Sequence, residues 1–147
     1  MTINQVTIAE LAAVAPLFDN YRVFYGQPSD LALATSFLAE RLTKQESVIL
    51  LAKDDLGKPV GFTQLYPSFS SVSAARTWIL NDLYVLDELR GQGIGKQLLN
   101  AARDHAVSTQ AKGIGLQTAR DNDKAQKLYE SVGYVIDSEY YSYFLSL

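Results

Sequence analysis

Along this chain the apolar positions switch between a period of about two and a period of about 3.6, and the switches mark its elements. Residues 2–8 form a short strand segment. Leu11, Val14, Ala15, Phe18, Tyr21, Arg22 and Tyr25 then recur at helical spacing, and Gly26 with Pro28 closes that helix. Ser29 is placed to cap a second helix with Leu33, Phe37 and Leu42 inward. Residues 47–53 read as a buried strand, 54–59 as a turn and 60–67 as the returning arm of a hairpin. Residues 77–86 make a third long strand of branched and aromatic side chains. After a glycine-rich turn come a helix over 94–107, a short strand over 113–118 and a helix over 122–132 closed by Gly133. A last strand region, 134–147, is interrupted near Asp137 and Ser138.

The order β, α, α, β, β, β, α, β, α, β predicts an α/β or α+β fold with an antiparallel meander and one central strand–helix–strand unit. A doubly wound nucleotide fold would alternate from the start, and this chain does not. No repeat or linker interrupts the pattern, so one domain is expected over residues 1–147. A chain that is 48% hydrophobic and 20% charged is expected to be an ordinary soluble globule. Without cysteine it has no disulfide framework, thiol nucleophile or thiolate metal site, and no other metal site is evident. The first residues lack the basic start and apolar run of a signal peptide, and no apolar run approaches the ~20 residues that span a bilayer. A cytoplasmic protein without a membrane partner is the expectation. A net charge of −3 argues against a nucleic-acid partner, which would need clustered Lys and Arg.

The segment Asp87-Glu88-Leu89-Arg90-Gly91-Gln92-Gly93-Ile94-Gly95-Lys96 joins a strand to the start of an amphipathic helix. The first turn of a helix has backbone N–H groups without internal partners, and the helix dipole adds partial positive charge there. Glycine lets a diphosphate approach those donors. A phosphate-binding P-loop needs Ser or Thr after its Lys, whereas Gln97 follows Lys96. The dinucleotide pattern needs Gly or Ala three residues after Gly93, where Lys96 stands. What fits is Arg90-x-x-Gly93-x-Gly95.

A second motif follows: Asn122, Ala125, Leu128, Tyr129, Gly133 and Tyr134 form Asn-x-x-Ala-x-x-Leu-Tyr-x-x-x-Gly-Tyr. Together the two motifs resemble the GCN5-related N-acetyltransferase (GNAT) family, from about Trp78 to Tyr134 by motif and before that by element order. The resemblance implies a mixed, mostly antiparallel sheet of six or seven strands flanked by about four helices. It implies acetyl-CoA as cosubstrate, with its diphosphate on Arg90, Gly91, Gln92, Gly93, Ile94, Gly95 and Lys96, and with Asn122 and Lys124 also on the cofactor side. The strands near Asp82 and Leu116 would splay apart, and the backbone around Leu83, Tyr84 and Val85 would pair with the pantetheine arm like an added strand. The strand containing Asn81 and Asp82 resembles the polyamine and yeast histone-acetyltransferase-like subgroup, although Asn81 stands where the polyamine enzymes carry a first acid.

The chemistry sets further requirements. An aliphatic amine with a pKa of about 10.4 attacks only after losing a proton, so a base must receive that proton. Backbone donors must steady the oxyanion, and the N–H of Leu83 or Tyr84 is the candidate. A phenol of pKa about 10 can protonate a departing thiolate of pKa about 8.5. By the resemblance Tyr129 is that phenol, while its apolar helical face also allows a core role. Asp82 is the candidate base or amine-orienting charge; its other reading is an ion pair with Arg22 or Arg41. Tyr25 heads an aromatic and acidic cluster that either lids a cationic acceptor or packs as core. His105 falls on an apolar helical face and reads as a packing residue.

The function these residues point to is an N-acetyltransferase moving an acetyl group from acetyl-CoA to a primary amine of a small molecule by direct attack. A protein acetyltransferase acting on lysine or an N-terminus and a non-catalytic acyl-CoA-binding module are the alternatives. The aromatic C-terminal strand, with Tyr140, Tyr141, Tyr143 and Phe144, could present an outward face to a second copy in a homodimer.

Overall fold

Six residues in a row, Val48–Lys53, contain four fully or nearly fully buried side chains, and the reason is that their strand is covered on both sides. In the computed structural model, which describes all residues 1–147, this strand (β2) lies second in a five-stranded sheet. The others are β1 (Thr2–Gln5), β3 (Pro59–Ser70), β4 (Ala75–Val85) and β5 (Ile114–Gly115), in the order β1-β2-β3-β4-β5. All pairings are antiparallel except the parallel contact of β4 with β5. Four α-helices accompany the sheet: α1 (Leu11–Phe24), α2 (Leu31–Thr43), α3 (Ile94–Ser108) and α4 (Asp123–Ser131). No helix is long and apolar enough to cross a membrane.

Successive strand residues point to opposite faces. Ile49 and Leu51 accordingly join Val14 and Phe18 of α1 and Leu38 of α2 in one core. Ala52 joins Ile94 and Leu98 of α3 in a second. α2 departs slightly from its sequence pattern. Asp30, not Ser29, caps it by accepting from the Leu33 N–H (3.0 Å). The Ser29 hydroxyl instead donates to buried Asp19 of α1 (2.6 Å), which also accepts from the Asp30 N–H (2.8 Å). Ala34 and Leu38 are the buried residues of α2, Phe37 and Leu42 pack beside the core as expected, and Leu33 is 48% exposed.

The residues group into two compact units, Met1–Gln117 and Thr118–Leu147. The first holds the whole sheet and α1–α3. The second consists of α4 and the segment after it. Asn122 caps α4 by accepting from the Ala125 N–H (3.3 Å). At the other end Gly133, with φ +102°, lets its own N–H reach the Glu130 carbonyl and the Tyr134 N–H reach the Tyr129 carbonyl. This pair of bonds closes a helix through a left-handed residue.

Residues 134–147 form no strand, and the sheet has five strands rather than the six or seven expected. The apolar content that suggests a strand there is present, but a strand exists only through pairing, which the pattern of one segment does not report.

Candidate functional site

A short 3₁₀ turn, Asp87–Leu89, leads from β4 into the glycine-rich turn. Gly93 begins α3 with φ +84° and no side-chain cap, and Gly91 has φ +81°. Both need the left-handed region that glycine enters without penalty. The helical hydrogen bond from this start is Gln97 N–H to Gly93 carbonyl (3.1 Å). The N–H groups of Ile94, Gly95 and Lys96 therefore precede the ladder, and the first turn holds no acidic residue. Ile94 turns its side chain into the core, so it offers the site only its backbone. Gln92 and Lys96 are exposed. A helix start of this kind leaves backbone donors open to an anion.

Beside it β4 has an open edge. Its pairing with β5 covers only Trp78 with Ile114 and Ile79 with Gly115. On the other side β3 pairs continuously, with one irregularity: Gln64 lies opposite Asp82, yet Leu65 lies opposite Leu80. Asn81 is the extra residue of a bulge. Before the bulge the Trp78 N–H faces β5, donating to Gly113 (3.1 Å). Beyond it the Leu86 N–H faces β3, donating to Val60 (3.0 Å). Backbone direction alternates along a strand. Leu83 and Val85 thus face the open edge, whereas the Tyr84 backbone faces β3. Of the two oxyanion donors expected, Leu83 and Tyr84, only Leu83 points to the free edge.

Asp82 is 2% exposed. Gln64 Nε2 donates to its Oδ2 (2.5 Å) and Asn81 Nδ2 to its Oδ1 (2.7 Å). The Tyr21 hydroxyl donates to the Asn81 carbonyl (3.3 Å) beside the carboxylate. No cation pairs with Asp82. Arg41 is held by Glu40 and Glu46, and Arg22 makes no ion pair, so the ion-pair reading does not describe this residue. Burial raises the Asp82 pKa above the ordinary carboxylate value, against the lowering effect of the bonds from Asn81, Gln64 and Tyr21. Burial, followed by the Asp82 charge, likewise raises Tyr21 and pushes the Tyr66 phenol up to about 12. The fully buried Gln64 was not singled out by sequence pattern, though Thr63-Gln64 is a polar pair inside an apolar strand. Its Oε1 has no hydrogen-bond partner, which leaves a second acceptor beside the acid.

Aromatic side chains at the end of α1 rim this acid. Tyr21 lies 4.9 Å from Tyr25 between ring centroids, and Tyr25 is 60% exposed. The Arg90 guanidinium stacks over Phe24 (4.9 Å), donates to the Val85 carbonyl (3.1 Å) and pairs with Asp87 (2.7 Å). Expected as a free charge for a diphosphate, Arg90 instead braces the turn against β4 and α1. His105 packs on Trp78 (5.0 Å), and burial lowers its pKa.

The remaining motif residues belong to the second unit. Asn122 is the α4 cap, Lys124 is exposed on the first turn, and Tyr129 packs edge-on against Tyr134 (5.9 Å).

Comparison with known proteins gives the family. The sequence profile of the Acetyltransferase (GNAT) family matches residues 13–134. The chain is 50% identical to the uncharacterized N-acetyltransferase YhfO of Bacillus subtilis (strain 168), over all of this chain and 98% of that protein. It is 30% identical to a probable acetyltransferase of Haemophilus influenzae, covering 93% and 92% of the two chains. A crystal structure of a probable acetyltransferase superposes with a TM-score of 0.95 at 46% identity, covering 100% of this chain and 98% of the other. The chain belongs to the GNAT family of acetyltransferases, and its four helices and mixed five-stranded sheet are the GNAT fold.

Proposed function

We propose that the protein moves an acetyl group from acetyl-CoA to a primary amine of a small molecule by direct attack. The observation that carries this reading is the pairing of an uncapped α3 start with an unpartnered β4 edge, next to a buried acid that has no counter-ion. The residues fit the cosubstrate. A Cβ at Gly91 or Gly93 would meet nothing within 4 Å, so the turn at the start of α3 is open on that side.

When bound, acetyl-CoA supplies an activated acyl carbonyl and a thiolate leaving group. The backbone from Gly91 to Lys96 holds the diphosphate, with Lys96 adding charge. The outward N–H groups of Leu83 and Val85 and the Leu83 carbonyl would hold the amide-bearing arm as a neighbouring strand would, the Val85 carbonyl being bonded to Arg90. The Leu83 N–H also faces the side where acyl oxygen gains charge. Asp82 is the proton acceptor for the incoming ammonium, and its raised pKa suits that task better than an ordinary carboxylate. Gln64 Oε1 is a second acceptor for the same group, and Tyr25 with Tyr21 offers ring faces to a cation. Tyr129, by its place in the motif, is the proton source for the leaving sulfur. A small amine is supported by the depth of Asp82, which a slender group reaches more readily than a bulky surface does.

Calorimetric titration with acetyl-CoA, with NAD and ATP as controls, tests this. Micromolar or tighter binding of acetyl-CoA alone is expected, followed by amine-dependent thiol release. A folded protein that ignores acetyl-CoA would overturn the reading.

A further inference from the structure

The bulge in β4 decides which side chains share a face with Asp82. In an unbroken strand Leu80 and Trp78 would follow Asp82 on its own face. Because Asn81 is an extra residue, they turn to the other face, where Leu80 lies opposite Leu65 and Trp78 packs on His105 of α3. Ile79 takes the place beside the acid. It lies opposite Tyr66, the next residue of β3 on the face of Gln64, and Gln64 lies opposite Asp82. Ile79 is 42% exposed and Tyr66 is half-buried, so both can meet a visitor. The Asp82 charge reaches the Tyr66 phenol, and the Tyr21 hydroxyl is fixed on the Asn81 carbonyl with the exposed Tyr25 ring against it.

This face holds one unanswered charge. The acids on the elements around it are engaged: Asp19 of α1 by Ser29 and the Asp30 N–H, Glu40 of α2 by Lys44 (2.7 Å), and Glu46 by Arg41 (3.2 Å). Arg41, whose charge reaches Tyr66, is stacked over Phe37 (4.7 Å) and held by Glu40 and Glu46. Arg22 acts on Asp19 and not on Asp82. A ligand with one ammonium group therefore finds one carboxylate. A second ammonium would leave water for rings and an isoleucine without meeting another acid. A carboxylate would meet the negative faces of phenol rings beside an acid, with no free cation to receive it.

We propose that the acceptor is a primary monoamine with an uncharged, apolar and preferably aromatic body, and that Tyr66 and Ile79 are the residues that select it. The ammonium goes down to Asp82, and the body stays against Tyr66, Ile79 and Tyr25. The fate of that amine rests on the acetyl-transfer reading; its binding does not.

Titrating the amines themselves keeps the two apart. Calorimetry at neutral pH with phenylethylamine, diaminobutane and phenylalanine should give an affinity for phenylethylamine at least about 10-fold above the other two. With acetyl-CoA present, thiol release should rank the three amines in the same order by kcat/KM. Ile79→Asp sets a second carboxylate opposite Tyr66 and leaves Asp82 in place. In that variant the affinity for phenylethylamine should fall on the order of 10-fold and that for diaminobutane should rise by a similar factor. Tyr66→Ala should weaken phenylethylamine binding on the order of 10-fold, and Tyr66→Phe, which keeps the ring, should restore it. Melting curves confirm that each variant is folded, and the Tyr66 pair carries the test alone if Ile79→Asp is not. Wild-type protein that binds diaminobutane or phenylalanine as well as phenylethylamine, or that binds none of the three, overturns the proposal. A protein that ignores acetyl-CoA overturns the transfer reading instead, and the amine titrations still decide what this face selects.

Discussion

Two helices of this protein begin in opposite ways. α4 starts at Asn122, whose side-chain oxygen accepts from the Ala125 N–H, and Asp123 adds a negative charge to its first turn. Its own side chains thus occupy and neutralise its positive end. α3 starts at Gly93 in the left-handed region, with no side-chain cap and no acid in the first turn. Its donors and its share of helix dipole are left for a ligand. The difference shows that a sequence leaves a helix N-terminus open to a ligand by what it withholds. Asn122, expected on the cofactor side, uses its side-chain oxygen to cap its own helix.

The most direct way to break the contrast is to give α3 the acid it lacks. Gly93→Asp places a negative charge at the helix start and forces a Cβ into a positive-φ position. Like charges at about 4 Å and an effective dielectric of about 20 repel by roughly 4 kcal/mol. Acetyl-CoA affinity by calorimetry should fall on the order of 100-fold or more, while the thermal midpoint moves by only a few degrees. Retained affinity would mean that the anion sits elsewhere.

A second contrast lies inside the first unit, between the unpaired donors of α3 and the unpaired charge of Asp82. Burial holds the Asp82 proton more tightly in the fold than in the unfolded chain. The stability linked to that proton is fully present below the unfolded pKa of about 3.9 and is lost as pH rises through the raised folded value. Asp82→Asn removes this dependence. The midpoint of the variant minus that of wild type should therefore become more positive between pH 4 and pH 8, by on the order of a few degrees. A difference that stays flat with pH would show that Asp82 ionises in the fold at no cost, which is not the behaviour of an acid without a counter-ion.

What the sequence made legible follows the same division. The α3 turn was readable because everything that shapes it lies within ten consecutive residues, from Asp87 to Lys96. The helix stops at Gly26 and Gly133 and the two-face-covered run of β2 were local in the same sense. Gln64 was not readable as a partner of Asp82, because that contact depends on register across 18 residues and on a bulge at Asn81. Ser29 and Asp30 are both good helix caps; a tertiary bond to Asp19 decided between them. Residues 134–147 fail differently. Their pattern is strand-like, but pairing is a property of two segments, and the pattern of one segment does not report it.

The smallest effect sharpens the comparison of helix starts most cleanly. Asn122→Ala removes the α4 cap and leaves the Ala125 N–H without its acceptor. Loss of such a cap costs about 1 kcal/mol. For a chain of this length that lowers the thermal midpoint by roughly 2–4 °C. If Asn122 acts through its helix, acetyl-CoA affinity should stay within about twofold, and Asn122→Asp, which keeps the accepting oxygen, should restore the midpoint. If the side chain instead grips the cofactor, affinity should fall about tenfold in Asn122→Ala and stay low in Asn122→Asp, whose added charge faces a diphosphate. Calorimetry and a melting curve on the two variants separate these outcomes, because a cap is read in stability and a ligand contact in binding.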